Sequence, residues 1–385
     1  MAGMDTALHP FIERITQAHH ARTPLRIRGG GSKDFFAPPG QGEVLDTRTL
    51  DGIRAYEPSE LVVTVAAGTP LATLEAALRE KNQYLPFEPP QFVWSQSSAA
   101  GSTTTVGGMV AAGLSGPARA SAGSVRDYVL GVQIINGRGQ PLRFGGQVIK
   151  NVAGYDVSRL MVGARGTLGL ITEVSLKVLP LPAAEATLVF PVGQAAALEQ
   201  LHRWGGQPLP LNASCWVRDD TAPGQPELLF VRLRGAAAAV QAACQRMCTD
   251  LPGQVMDPAV AAPDWERLRH QTLPFFTTPA ADQVLWRLSL PPTAPVLDLP
   301  WPQLVEWHGA LRWVWAPSDA AVALQSAARG VGGTASSFVA HHAHSTRDEG
   351  TFGTENAAAL AIARRVQQQF DPHGIFNPQR LYPDF

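Results

Sequence analysis

The chain has 385 residues, 45% of them hydrophobic and 16% charged, with a formal net charge of −1. That length exceeds one ordinary core and points to two domains. The near-zero charge and the lack of a basic run exclude a general field drawing the chain to nucleic acid or an anionic membrane.

The opening "MAGMDTALHPFIERI" has no basic segment leading into an apolar core, so no signal peptide is expected. No apolar run reaches the roughly 18 residues of a membrane span. A cytoplasmic chain is expected, with any membrane association going through a partner. Residues 10 to 24 read as a helix ending before Pro24. "LRIRGGGS" reads as a strand running into a glycine loop. "EVLDTRTL" and "ELVVTVAAG" read as strands. "TPLATLEAALREKN" reads as a helix capped by Thr69, with Pro70 in its first turn and Leu71, Leu74 and Leu78 on one face. Residues 95 to 124 are nearly all small. Residues 95 to 104 have a linker's composition, whereas "VGGMVAAG" reads as a glycine turn opening into a short buried helix. "YVLGVQIINGRGQPLRF" reads as a hairpin about "NGRG", and "GTLGLITEVSLKVLPLP" as a further strand.

A domain boundary is expected near residue 182. Beyond it, "EATLVFPV", "LPLNASCWVRD" and "ELLFVRLRG" read as strands, and "GQAAALEQLHRWG" and "GAAAAVQAACQRMCTDL" as helices. This pattern predicts an antiparallel sheet with helices on one face. "WRLSLPP" reads as an edge strand stopped by its prolines. The last helix, in "TENAAALAIARRVQQQFDP", has Leu360, Ala363, Val366 and Phe370 at helical spacing. The cysteines Cys215, Cys244 and Cys248 are odd in number and give no disulfide framework. Cys244 and Cys248 share a helix face and read as buried thiols rather than a metal pair.

Chemistry concentrates first in "RGGGSK". Consecutive glycines let backbone N–H groups converge on one concavity, and such a nest binds anionic oxygens. Arg28, Ser32 and Lys33 add charge and a hydroxyl, so a diphosphate fits. The run is neither G-x-G-x-x-G nor G-x-x-x-x-G-K-[ST]. Taken alone it leaves a plain loop and a phosphate loop both open.

With "RGGGSK", the segments "LPFEPP", "TVGGMVAAGLSG", "GSVRDYVLGVQIINGRG" and "KNVAGYDVSRLMVGARGTLGLITEVSLKV" follow in an order and spacing that resembles the FAD-binding domain of the vanillyl-alcohol oxidase family, the PCMH-type flavoproteins. The resemblance spans residues 20 to 180. "KNVAGYD", "GARGTLGLIT" and "FDPHGIFNPQRLY" are similar to the FAD-binding, E-type subunits of bacterial glycolate oxidases. The resemblance implies an α+β fold. Residues 1–182 would form a PCMH-type FAD-binding domain of two α/β subdomains, residues 183–345 a smaller antiparallel cap, and residues 346–385 a helix and tail returning to the first domain.

It also implies site residues. Gly29, Gly30, Gly31 and Ser32, flanked by Arg28 and Lys33, would hold the FAD pyrophosphate. Pro86, of "LPFEPP", and Thr105, Gly107, Gly108 and Ala112 would pack against the cofactor. Gly123 and Ser124 would lie near the isoalloxazine; Gly163, Gly166, Thr167 and Ile171 would wrap the adenosine end; Asn377 would come back to the flavin domain. No histidine or cysteine lies in the first loop, so non-covalent FAD is expected.

Hydroxy-acid dehydrogenases of this family carry H-x-H-x-G-D-G-N. Here "HHAHSTRDEG" keeps only the H-x-H of His342 and His344. A metal site with a histidine base and a polar loop are the two readings. The loop is preferred, and no metal is expected. The E-type subunits work with a flavin D-type subunit and an iron–sulfur F-type subunit to oxidise glycolate to glyoxylate. Three cysteines are too few to hold clusters in this chain. Beside that reading stand a free-standing FAD-dependent 2-hydroxy-acid dehydrogenase and a flavin-free scaffold.

Overall fold

The structure, a computed structural model, describes residues 2–36, 41–92, 103–146, 156–277, 282–340 and 357–382. Helix α1 (Ala2–Ala21) starts earlier than expected and runs through Pro10. Its Phe11, Ile15 and Ala18 share one face and bury against Leu25, Leu45, Leu50, Ile375 and Phe376. Beside it, β1 (Leu25–Arg28) and β2 (Glu43–Asp46) pair in parallel. These elements make a small first subdomain.

A second subdomain is an antiparallel sheet of β3 (Ile53–Glu57), β4 (Val62–Ala66), β5 (Val129–Ile135), β6 (Pro141–Gly145) and β7 (Leu170–Lys177). The order is β3-β4-β7-β5-β6. Strand β3 was not expected; it is an edge strand with no buried residue, so it carries no apolar signal. Helix α2 (Leu71–Glu80) buries Leu71, Leu74 and Leu78. Thr69 does not cap it. The hydroxyl accepts from Gly52 N at 2.9 Å instead, and Pro70 occupies the cap position. Helix α3 (Val106–Ala112) buries Val106, Met109 and Val110 in the same core. Two short helices follow, α4 (Arg119–Ala122) and α5 (Val125–Tyr128).

The rest builds one eight-stranded antiparallel sheet. In chain order it contains β8 (Ala184–Pro191), α6 (Gln194–Gly205), β9 (Leu211–Arg218), β10 (Glu227–Gly235), α7 (Ala237–Asp250), β11 (Gln254–Val255), α8 (Pro258–His270), α9 (Pro274–Thr277), β12 (Gln283–Ser289), β13 (Gln303–Glu306), β14 (Leu311–Pro317), α10 (Ala321–Gly330) and β15 (Thr334–Ala340). The strand order is β11-β8-β10-β9-β13-β14-β12-β15. Helices α6, α7 and α10 cover one face, through Leu198, Trp204 and Met247 in one cluster and Leu324 and Ala328 in another. Helices α8 and α9 bring Trp265, Leu268 and Phe276 to the opposite face.

The strand in "WRLSLPP" is internal, not an edge: β12 pairs with both β14 and β15. The ladder ends at Ser289, before Pro291 and Pro292, so neither proline removes a ladder donor. Helix α11 (Ala357–Phe370) returns to the first domain, where Val366 and Phe370 pack on the core.

The sheet face carrying Trp313, Trp315, Leu304 and Phe338 packs on Phe35, Phe36, Phe92 and Leu114 of the first domain in one shared cluster. A buried ionic knot pins the same junction. Glu88 accepts from Arg232 at 2.6 and 2.8 Å, from Arg234 at 2.7 Å and from Ala118 N at 3.0 Å. Burial alone would raise the Glu88 carboxyl, but Arg232 and Arg234 hold it below the ordinary carboxylate range. Among the described residues no helix is long and apolar enough to cross a membrane.

Candidate functional site

A cleft opens where β1 ends, between the first loop, α3 and the turn before β7. Its mouth and interior together take in about 800 Å³, part of it open to solvent. Strand β1 ends at Gly29–Gly31 because no side chain fits there. A Cβ on Gly30 would sit 1.6 Å from the Thr103 carbonyl oxygen, and one on Gly29 would sit 2.4 Å from Thr105 Oγ1. Gly31 has φ of 79°, open to glycine at no steric cost. The loop is tied to its neighbour by Thr103 N donating to Gly30 O at 3.2 Å.

Helix α3 forms the floor. Thr105 caps it, accepting from Gly108 N at 3.2 Å. Gly107 lies flush on β4, its N donating to Ala67 O at 2.7 Å. A Cβ on Gly108 would meet Thr105 Oγ1 at 3.0 Å and nothing else within 4 Å, so that side of the helix faces open space.

The cleft is ringed with cations. Arg28 Nε donates to Asp34 Oδ2 at 2.8 Å. Burial pushes the Lys33 ammonium down to about 7, and its bonds to Ser32 Oγ and Thr104 Oγ1 are long, at 3.4 Å. Burial, then Arg380 and Arg287, push the Arg165 guanidinium down to about 9. Arg165 stacks over the Phe36 ring at 4.0 Å. Burial lowers Arg380 as well, against the pull of Asp34. Desolvated cations beside backbone that admits no Cβ are what a buried diphosphate requires, so these residues fit FAD.

Asn377 joins two walls. Its Oδ1 accepts from Ile27 N at 2.8 Å, and its Nδ2 donates to Arg165 O at 2.8 Å. The tail itself lies along β1, with Leu25 N donating to Ile375 O at 2.7 Å and Asn377 N to Leu25 O at 2.9 Å.

The structure brings Arg28, Gly29, Gly30, Gly31, Ser32, Lys33, Thr105, Gly107, Gly108, Ala112, Gly166, Ile171 and Asn377 together around the cleft. It places five other candidates outside that lining. Pro86 is buried two residues before the Glu88 knot. Gly123 ends α4 with φ of 98°. Ser124 is engaged in a capping box, its Oγ donating to Asp127 Oδ2 at 2.9 Å. Gly163 supports α3, donating to Val110 O at 3.0 Å. Thr167 closes its own turn, donating to Ala164 O at 2.8 Å. His342 and His344 lie outside the described residues, as does most of "KNVAGYD". Among the described residues no group of three His, Cys, Asp or Glu could hold a metal ion. His19 packs against His373, with ring centroids 4.5 Å apart and the planes tilted by 43°.

Sequence reading missed Thr103, Phe36, Arg165 and Arg380. Only Arg165 had a local signal, as the one charged residue inside "GARGTLG".

Comparison with known proteins agrees with this geometry. Residues 11–145 match the family described as FAD binding domain. With its antiparallel second domain and 2-hydroxy-acid dehydrogenases among its relatives, the chain is an FAD-binding oxidoreductase of the CH–OH class. It is 44% identical to the glycolate oxidase subunit GlcE of Escherichia coli (strain K12) over 97% of this chain and 97% of that protein. The chain belongs to the GlcE family of glycolate oxidase subunits. It is also 32% identical to the glycolate oxidase subunit GlcD of Bacillus subtilis (strain 168), over 46% of this chain and 37% of that one. A solved alkyldihydroxyacetonephosphate synthase shares the fold, with a TM-score of 0.65 at 15% identity over 96% of this chain and 75% of that chain.

Proposed function

We propose that this chain is the FAD-binding subunit of a glycolate-oxidising complex, with a GlcD-type flavin subunit and an iron–sulfur F-type subunit as partners. The observation that carries the reading is the cleft, where backbone without Cβ atoms faces Lys33, Arg165 and Arg380, all short of solvent. The family it belongs to supplies the substrate. Residues 1–182 act as the flavin domain, residues 183–345 as the cap, and residues 346–385 as the returning helix and tail.

The amides of Gly29–Gly31, with Arg28, Lys33, Arg165 and Arg380, hold the diphosphate. Gly107, Gly108 and Ala112 keep α3 free of bulk beneath the cofactor. Phe36 and its Arg165 partner shield one side from water. FAD supplies, when bound, acceptance of a hydride pair and release of single electrons. No His, Cys or Tyr is among the described residues lining the cleft, which supports a cofactor held without a covalent bond.

The test is reconstitution of glycolate-dependent dye reduction from the three subunits. Activity should need this chain and be lost when it carries Gly108→Trp. Full activity from the two partners alone would overturn the reading.

A further inference from the structure

A second cavity lies where α8 and α9 stand off β8, β9 and β10 of the eight-stranded sheet. It has room for about 280 Å³, every wall residue lies between 187 and 304, and none is shared with the cofactor cleft. Strand alternation builds its floor. Cys215 and Val217 of β9 point to the same face, with Phe230 of β10 in register with Cys215 and Leu304 of β13 in register with Val217. Opposite them α8 buries Ala261, Trp265 and Leu268 at helical spacing. Ala261 is the small member of that face and leaves room beside Trp265.

The walls are apolar and aromatic. Trp265 Nε1 donates to Thr187 Oγ1 at 2.9 Å, and the Arg232 guanidinium lies 4.8 Å from the Trp265 ring centroid, so the ring is held by two partners. Phe230, Phe275, Val217 and Leu273 are only half-buried and give the cavity apolar surface. An apolar cavity of about 150 Å³ holds a benzene ring, so this one has room for one or two fused rings. Aromatic walls favour an aromatic guest through offset or edge contacts. Cys215 is 4% exposed and free, and its Sγ makes no hydrogen bond among the described residues. Burial, then Glu306, push the thiol well up, so it stays S–H, a soft contact for a ring.

The mouth is charged. Its exposed members come from the end of β9 with the turn after it, and from α8. Arg218 pairs with Glu227 at 2.9 Å, and Arg267 with Asp264 at 2.9 Å. Asp219 and Asp220 have no cation among the described residues. Asp219 accepts from Thr221 alone, from its N at 3.0 Å and its Oγ1 at 2.6 Å. These two carboxylates stand in excess directly beside apolar walls, where they attract a guest with a positive end and repel one with a negative end.

We propose that this cavity binds a small aromatic amine, one or two fused rings bearing an ammonium group, with the rings against Trp265, Phe230 and Phe275 and the ammonium at Asp219 and Asp220. The ring class follows from the size and the aromatic walls, and the positive end follows from the mouth. The site is separate from the cofactor cleft and from the oxidation proposed above, and it stands or falls apart from them.

The probe is tryptamine, titrated calorimetrically into the full-length protein, with 3-indolepropionate as the guest of opposite charge. Tryptamine should bind one to one with a dissociation constant below about 1 mM, ordinary for a ligand of about a dozen heavy atoms. 3-Indolepropionate should bind at least about tenfold more weakly. Val217→Trp puts a bulky side chain into the cavity and should abolish binding. Asp219→Asn combined with Asp220→Asn should weaken tryptamine about threefold to tenfold, the loss of two exposed charge contacts, and should strengthen 3-indolepropionate. No saturable tryptamine binding, equal affinity for the two guests, or binding that survives Val217→Trp would overturn the proposal. If Val217→Trp fails to fold, the double aspartate variant decides the matter, and unchanged tryptamine affinity in it would be the refuting result. Saturating tryptamine should leave assembly with the partner subunits unchanged. Blocked assembly would show that a partner's side chain fills this cavity, and would overturn the proposal as well.

Discussion

Replacing Asn377 with alanine removes both bonds that tie the tail to the cleft walls. The amide to Ile27 N is partly buried, and its loss should cost about 1 kcal/mol; the bond to Arg165 O is buried, and its loss should cost about 1–3 kcal/mol. Asn377 also has φ of 44°, a left-handed backbone that alanine tolerates about 1 kcal/mol less well. The sum is about 3–5 kcal/mol. The assay is urea unfolding of flavin-free protein by circular dichroism, with flavin affinity measured separately by fluorescence. Asn377→Gly is the control: it loses the same bonds without the backbone penalty, and should lie about 1 kcal/mol above Asn377→Ala. Flavin affinity should fall in both variants, because the walls at Ile27 and Arg165 lose their common partner. A change below about 0.5 kcal/mol, with flavin affinity intact, would refute the argument that this residue holds the walls together.

Gly108→Trp should give folded but colourless protein, because the new side chain projects into open cleft and meets little but Thr105 Oγ1 at 3.0 Å; full flavin occupancy would show that the helix floor is misassigned. Glu88→Gln should destabilise the junction by about 3–5 kcal/mol at pH 7, since Arg232 and Arg234 then lose a buried charge partner. The folded carboxyl of Glu88 lies below its unfolded value of 4.5, so its contribution is complete above that value and is lost as pH falls through the folded one. Asp46, Asp127 and Glu266 are lowered as well and weaken both proteins in acid, so urea midpoints of the wild type should drop more steeply over that range than those of Glu88→Gln, and parallel profiles would contradict this.

The parts of the site carried by local backbone were legible in the sequence. The glycine run and the small-residue helix announce themselves because close backbone approach excludes side chains over consecutive positions. The cations from afar were not legible. Arg380 reaches the cleft from beyond the whole second domain, and Arg232 reaches Glu88 across 144 positions, so neither leaves a local pattern. The same limit hid β12, whose prolines suggest an edge although they stand past the last paired residue.

The central claim, that the cleft holds FAD without a covalent bond, is tested most directly by acid precipitation of the purified chain. One FAD per chain in the supernatant over a colourless pellet is the predicted result. A yellow pellet, or protein that binds no flavin even when FAD is supplied, would contradict it.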